Sequence, residues 1–220
     1  MSVPPEEPAV AAGLVQDELL AEFPGLELRF SVIDVQPGPS SPALRERLRA
    51  LSDRYGGAAV VTLRTKAIAH AYRAFYRQVG LDPDVTRIPS EEAAVARLLQ
   101  GGFKSRDRLA DARLIALVET GAPVWALDAH AVEPATLGIR LSRAGEELGA
   151  GPAALPLAPG RLVLADHRAV HGVLFGMLDP RHLPGRRTRR VLIFSVGVDG
   201  VPALYLEEAL WLCAELAQRR

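Results

Sequence analysis

Three groups of side chains in this chain could do chemistry. His167 and His171 stand four residues apart, with Asp166 beside them. On a helix that spacing would set both imidazoles on one side and could hold a metal ion. Gly172 and the surrounding Val/Leu pattern point to strand and loop instead, and no third ligand stands at a matching distance. The expectation is therefore no metal and no cofactor. Trp125 stands two residues after Pro123 and three before Asp128. A flat apolar wall with a few polar groups is the make-up of a small-molecule pocket. A core Trp covering a sheet would read the same way, and Asp readily caps a turn by accepting from backbone N–H groups; for Asp128 the cap is the favoured reading. Arg181, Arg186, Arg187, Arg189 and Arg190 form a basic stretch broken by Pro184-Gly185. Guanidinium forks match phosphate oxygens, but a solvated turn could have the same composition. Ser90 lacks a G-x-S-x-G elbow and fits a helix cap. There is no P-loop, G-x-G-x-x-G or H-E-x-x-H.

Composition limits what these groups can be part of. The 220 residues are 49% hydrophobic, enough for a proper core. Lys+Arg and Asp+Glu are both 26, which argues against a sequence-independent nucleic-acid binder held by a large positive field; no DNA partner is expected. Arginine supplies nearly all the positive charge, Lys66 and Lys104 being the only lysines. The single Cys213 excludes a disulfide framework and a cysteine-based zinc site. No signal-like or membrane-length apolar stretch is present, so a cytoplasmic protein without a membrane partner is expected.

The elements that must position these groups follow from periodicity. Residues 1–9 are Pro- and Glu-rich and are expected to be disordered. Helical spacing runs from Val10 to Glu22, strand alternation from Leu26 to Val35, and a charged helix from Ala43 to about Ala50. An apolar strand is expected at Ala58–Leu63 and an amphipathic helix at Thr65–Val79, stopped by Gly80. Ser90 caps the next helix, with Glu91 and Glu92 in its first turn. A helix over about Arg108–Thr120 stops at Gly121, and an apolar turn then delivers Asp128. Strands are expected near Leu137–Ser142, Arg161–Ala165, Val170–Leu174 and Arg190–Val198, and a last helix near Glu207–Gln218. Helices dominate early and strands late, without a clean linker. One interleaved α+β domain over residues 10–220, a mixed sheet core flanked by helices, fits this order.

The run Asp111–Asp128, D-A-R-L-I-A-L-V-E-T-G-A-P-V-W-A-L-D, resembles a motif of the B3/B4 domain, the editing module in the beta subunit of bacterial phenylalanyl-tRNA synthetases. Asp111, Glu119, Gly121, Pro123, Ala126 and Asp128 match; the pattern's His is Trp125 here and its Asn is Leu114. Phe23-Pro24-Gly25-Leu26, Tyr72–Pro83 and Pro89-Ser90-x-Glu92-Ala93 resemble the F-P-G-L, G-x-D-P and P-S-x-E-A segments of stand-alone members. Val170-His171-Gly172-Val173 and Thr188–Ile193 match a late loop and strand. Together they span roughly residues 14–215.

The resemblance implies a stand-alone trans-editing hydrolase of mischarged aminoacyl-tRNA, too short to be a complete ligase. His171 would orient water and Gly172 would supply backbone for an oxyanion. Trp125, Asp128, Thr188 and Phe194 would line the substrate pocket, Phe194 standing where the synthetase has the Glu that recognises a tyrosine hydroxyl. Arg186, Arg187 and Arg189 would touch RNA. Such a pocket should favour apolar amino acids over tyrosine by about 1–3 kcal/mol. The rival expectation is a non-catalytic binding module for an amino acid, tRNA or related metabolite, since the family's His and Glu positions are changed.

Overall fold

The computed structural model describes residues 8–57 and 62–218. Most of the expected disordered N-terminus lies outside the described residues, and so does most of the expected 58–63 strand; Thr62 and Leu63 are helical. Strands β1 (Ala11–Ala12) and β2 (Leu14–Val15) lead into helix α1 (Asp17–Glu22) and the long strand β3 (Glu27–Asp34). Helices α2 (Pro42–Arg54), α3 (Ala67–Gln78), α4 (Pro89–Gln100) and α5 (Arg108–Thr120) follow. Then come β4 (Trp125–Asp128), β5 (Gly138–Leu141), β6 (Glu147–Leu148), β7 (Leu155–Pro156), β8 (Leu162–Ala165), β9 (Val170–Val173) and β10 (Arg190–Gly197), and α6 (Ala203–Gln218) closes the chain order. The fold is α+β.

Two four-stranded sheets carry the architecture. The first runs β1-β3-β10-β4 and is antiparallel throughout; the second runs β2-β5-β8-β9, with β2 and β5 parallel. The expected helix at 10–22 exists only in its second half. Gly13 is the reason. It sits between β1, in one sheet, and β2, in the other, and an added Cβ would run into the Leu28 side chain. Pairing with two sheets overrides a local helical spacing that a short extended run satisfies equally well. Leu14 is exposed in this extended run.

Strand β10 is buried from Val191 to Gly197 and pairs with β3 over its whole length, Arg190 opposite Asp34 and Gly197 opposite Glu27. On its other edge Val191–Phe194 pair with β4. The segment 125–128 is therefore a strand, not the apolar turn its Pro123 suggested. Helix α6 lies on α5 and on β10. Its Leu206, Ala209, Leu210, Cys213, Ala214 and Ala217 are wholly buried, and the small alanines allow close packing. Burial pushes the Cys213 thiol up to about 12.

Helix ends follow local chemistry. Gly101 and Gly121 take left-handed C-caps at α4 and α5, where a Cβ would be strained. Asp107 accepts from Ala110 N–H to start α5. Ser90 does not cap α4. Pro89 occupies the first turn, and Ser90 points inward with no side-chain capping bond.

Helices α3 and α4 are pinned by a buried ion pair. Arg73 Nη1 lies 3.0 and 2.9 Å from the two Glu91 oxygens, and Nη2 lies 2.8 Å from Asp84 Oδ1. Both side chains of the Arg73–Glu91 pair are under a tenth exposed. Removing Glu91 leaves the buried Arg73 with only the half-exposed Asp84, at a cost of roughly 2–3 kcal/mol, below that of a fully stranded buried charge. Glu91→Ala should therefore lower stability by that amount in denaturant unfolding. A loss under about 1 kcal/mol, the size of a surface pair, would show that the pair is not buried in solution.

Candidate functional site

A cleft of about 420 Å³ opens between α4, α5, the loop after α4, the start of β4 and the tip of the hairpin that follows β9. Its apolar floor comes from Tyr76, Leu114, Leu117, Trp125 and Phe175. Its walls carry Arg87, Arg97, Lys104, Arg106 and Arg113 against Glu92 and Asp111. None of these five cations pairs with a carboxylate among the described residues. Arg97 donates to Ser52 O at 2.7 Å and Arg113 Nε to Val124 O at 2.8 Å. Burial pushes the Arg113 pKa down, partly offset by Cys213 and Asp107; a guanidinium stays charged regardless. A chain of zero net charge thus concentrates unpaired positive charge at one mouth.

Asp111 keeps its negative charge and offsets part of that field, but its oxygens are taken up from within and are not free to bind a ligand donor. Oδ2 accepts from Ser40 Oγ at 2.6 Å and Ser105 Oγ at 2.5 Å, and Oδ1 from Arg106 N–H at 2.9 Å. The first residue of the family-like motif is therefore the pin of the loop that carries Lys104 and Arg106. Glu119, another motif residue, pairs with Arg47 on α2 at 2.6 Å. The cations come from separate segments between residues 87 and 113, so no contiguous basic run marked them.

Trp125 lines the cleft, and its ring stacks on Phe194 across the β4–β10 pair, with centroids 5.5 Å apart at 19°. The two expected pocket residues are thus together, but Phe194 is buried beneath Trp125 rather than lining the cleft. Phe175 closes the floor. Its φ of 56° is the only positive value at a non-glycine among the described residues, a conformation costing about 1–2 kcal/mol.

The other expected site residues lie elsewhere. Asp128 Oδ1 accepts from His130 N–H at 3.0 Å and Oδ2 from Thr188 Oγ1 at 2.8 Å. Both residues serve structure: Asp128 caps a turn, and Thr188 ties the arginine loop to β4. Arg186, Arg187 and Arg189 are exposed on that loop, at the end of β4 away from Trp125. Gly172 is buried between Leu164 on β8 and Leu178 across the hairpin, where an added Cβ would strike Leu178. It does not open its backbone to the cleft.

His171 does not face the cleft either, contrary to the water-orienting expectation. It is wholly buried, with Nδ1 2.9 Å from His182 Nδ1 and Nε2 3.0 Å from Asp166 Oδ2, the latter off the line of a good hydrogen bond. Two Nδ1 atoms this close must split the roles of donor and acceptor. Asp166 favours the proton on His171 Nε2, so His171 Nδ1 accepts from His182. Burial would raise the Asp166 pKa, but the Glu133 and Ala169 N–H groups, His171 and the Arg168 N–H hold it at about 2. Asp179 is likewise held at about 2 against burial, chiefly by Arg181. Burial and the neighbouring His171 push His182 down. His167 turns away to Thr136 Oγ1 at 2.8 Å. Among the described residues no group of three or more His, Cys, Asp or Glu is placed to hold a metal ion.

No protein-family model matches the chain, and comparison with curated proteins finds no match.

The histidine cluster sets the acid response. His182 has a folded pKa below its ordinary 6.5, so the unfolded chain takes up that proton first and stability falls as pH drops below about 6.5. Asp166 and Asp179 have folded values below their ordinary 3.8. Their contribution is complete above that value and is lost as pH falls toward 2. Unfolding curves at stepped pH should show both limbs. Asp166→Asn should flatten the lower limb by roughly 1–2 kcal/mol; an unchanged acid limb would mean that Asp166 is not held as described.

Proposed function

We propose that the chain is a stand-alone B3/B4-like module that binds the 3′ end of a tRNA in the Trp125 cleft without hydrolysing it. The observation that carries this reading is the ring of five cations lacking carboxylate partners around an aromatic floor. Phosphate oxygens suit the cations, and a base or ribose suits the rings. A free amino acid fits less well: its ammonium would meet Glu92 and an Asp111 already engaged by three donors, and the cleft is larger than it needs. The exposed Arg186, Arg187 and Arg189 would extend the contact along the backbone. The family-like segments agree with an RNA ligand, and their framework residues Asp111 and Gly121 stand at the cleft rim and at the end of the helix behind it.

Binding without turnover is favoured over the editing reaction by the position of His171. An ester hydrolase needs a group that orients water beside the scissile bond. Here that imidazole is spent between Asp166 and His182, and Gly172 is enclosed by strands.

Fluorescence anisotropy with intact tRNA and with tRNA trimmed of its 3′-terminal nucleotides tests the reading. Trimming should weaken binding at least tenfold. Lys104→Glu with Arg106→Glu should do the same to intact tRNA and should flatten the salt dependence, because each lost phosphate contact removes about 0.7–0.9 from the log–log slope. Deacylation of a panel of aminoacyl-tRNAs should stay at the uncatalysed rate. Equal affinity for intact and trimmed tRNA would overturn the cleft assignment, and turnover above background would restore the hydrolase.

A further inference from the structure

Phe175 stands where three cavities meet. Its ring borders the basic cleft, a second groove of about 240 Å³ on the far side lined in part by Leu19, Phe23 and Leu162, and between them a void of about 10 Å³. Trp125, Leu164, Leu178, Phe194 and Val196 wall the void. All are apolar, and the space is about that of a single water with no polar side chain to hold it. The ring makes edge or tilted contacts with Tyr72, Phe75, Tyr76 and Trp125, with centroids 5.3–5.9 Å away. Nothing in this environment calls for a polar group.

The backbone beneath the ring is a tight tip. Val173 N–H donates to Met177 O at 3.0 Å, and Gly176 N–H to Val173 O at 2.9 Å. The tip fixes Phe175 in the left-handed region, where glycine would sit without strain. The chain keeps a large ring at a position whose backbone suits glycine, and that ring divides one apolar space into compartments.

We propose that Phe175 is the specificity-determining residue of the cleft: its ring fills an apolar chamber beneath Trp125 and so excludes any bulky acyl group carried by the ligand. This rests on the reading of the cleft as a nucleotide-end site. The protein as it stands then takes the uncharged end and rejects the aminoacylated one. Loss of the ring joins the void to the cleft and admits an apolar side chain.

The test compares two ligands on each protein, so that a general change in affinity cancels. The probes are adenosine 5′-monophosphate and the same nucleotide carrying a hydrolysis-resistant 3′-phenylalanylamide. Calorimetric titration of the wild type should give at least tenfold weaker binding of the acylated probe. In Phe175→Gly, which removes the ring and the backbone strain together, and in Phe175→Ala, the ratio should fall to unity or invert. Phe175→Leu should fall between, and supplies the comparison if the smaller variants do not fold. Benzene probes the chamber without the cleft: it should raise the Tm of the Gly or Ala variant, or of Phe175→Leu by less, and leave the wild type unmoved. An equal ligand ratio in wild type and variants, or variants indifferent to benzene, overturns the gate. If benzene stabilises the variants but no protein binds the nucleotide, the chamber stands, and the cleft reading falls together with the selectivity built on it.

Discussion

Strand β10 is the constraint on which the rest depends. Seven consecutive residues, Val191 to Gly197, are buried, so both edges and both faces of this strand must be satisfied by the protein itself. Its edges are taken by β3 and β4. Ser195 Oγ donates to Pro123 O at 2.8 Å and so fixes the entry to β4. Tyr72 on α3 donates its hydroxyl to Val196 O at 2.8 Å, and burial pushes that hydroxyl's pKa up, which keeps the donor proton in place. Phe194 supplies the stacking surface for Trp125. Helix α3, strand β4 and the cleft floor thus take their positions from one strand.

Much of this was legible in the chain. The apolar run 190–198, the helix 108–120 and its stop at Gly121, and the buried stripe on α6 are long or strongly periodic patterns that tertiary context does not override. Short or ambiguous segments behaved differently. Residues 10–15 satisfy helix and strand spacing alike, and only pairing with two sheets decides between them. Residues 125–128 are too few to show alternation, and Pro123 hides a strand begun two residues later. Ser90 is a good cap in isolation, but Pro89 claims the first turn.

The site was less legible than the fold. Trp125 stood out by its type and setting. The cations around it did not, because Arg87, Arg97, Lys104, Arg106 and Arg113 belong to different segments and converge only when α4 and α5 pack. Phe175 gave no sequence signal, since a left-handed backbone at an aromatic residue leaves no compositional mark. His171 misled for the opposite reason. A histidine beside a glycine in a late loop suggests chemistry, but burial between Asp166 and His182 turns it into an internal strut.

Asp111 gives the cleft a kinetic character. By holding Ser40, Ser105 and the Arg106 amide at once, this carboxylate fixes the rim before any ligand arrives. Association then need not order a loop, so little binding energy is lost to entropy at that step. A rigid mouth with unpaired positive charge attracts an anion from a distance set by ionic strength. On the proposed reading such a mouth would work as a fast collector, whose capture rate responds to salt more than its release rate does.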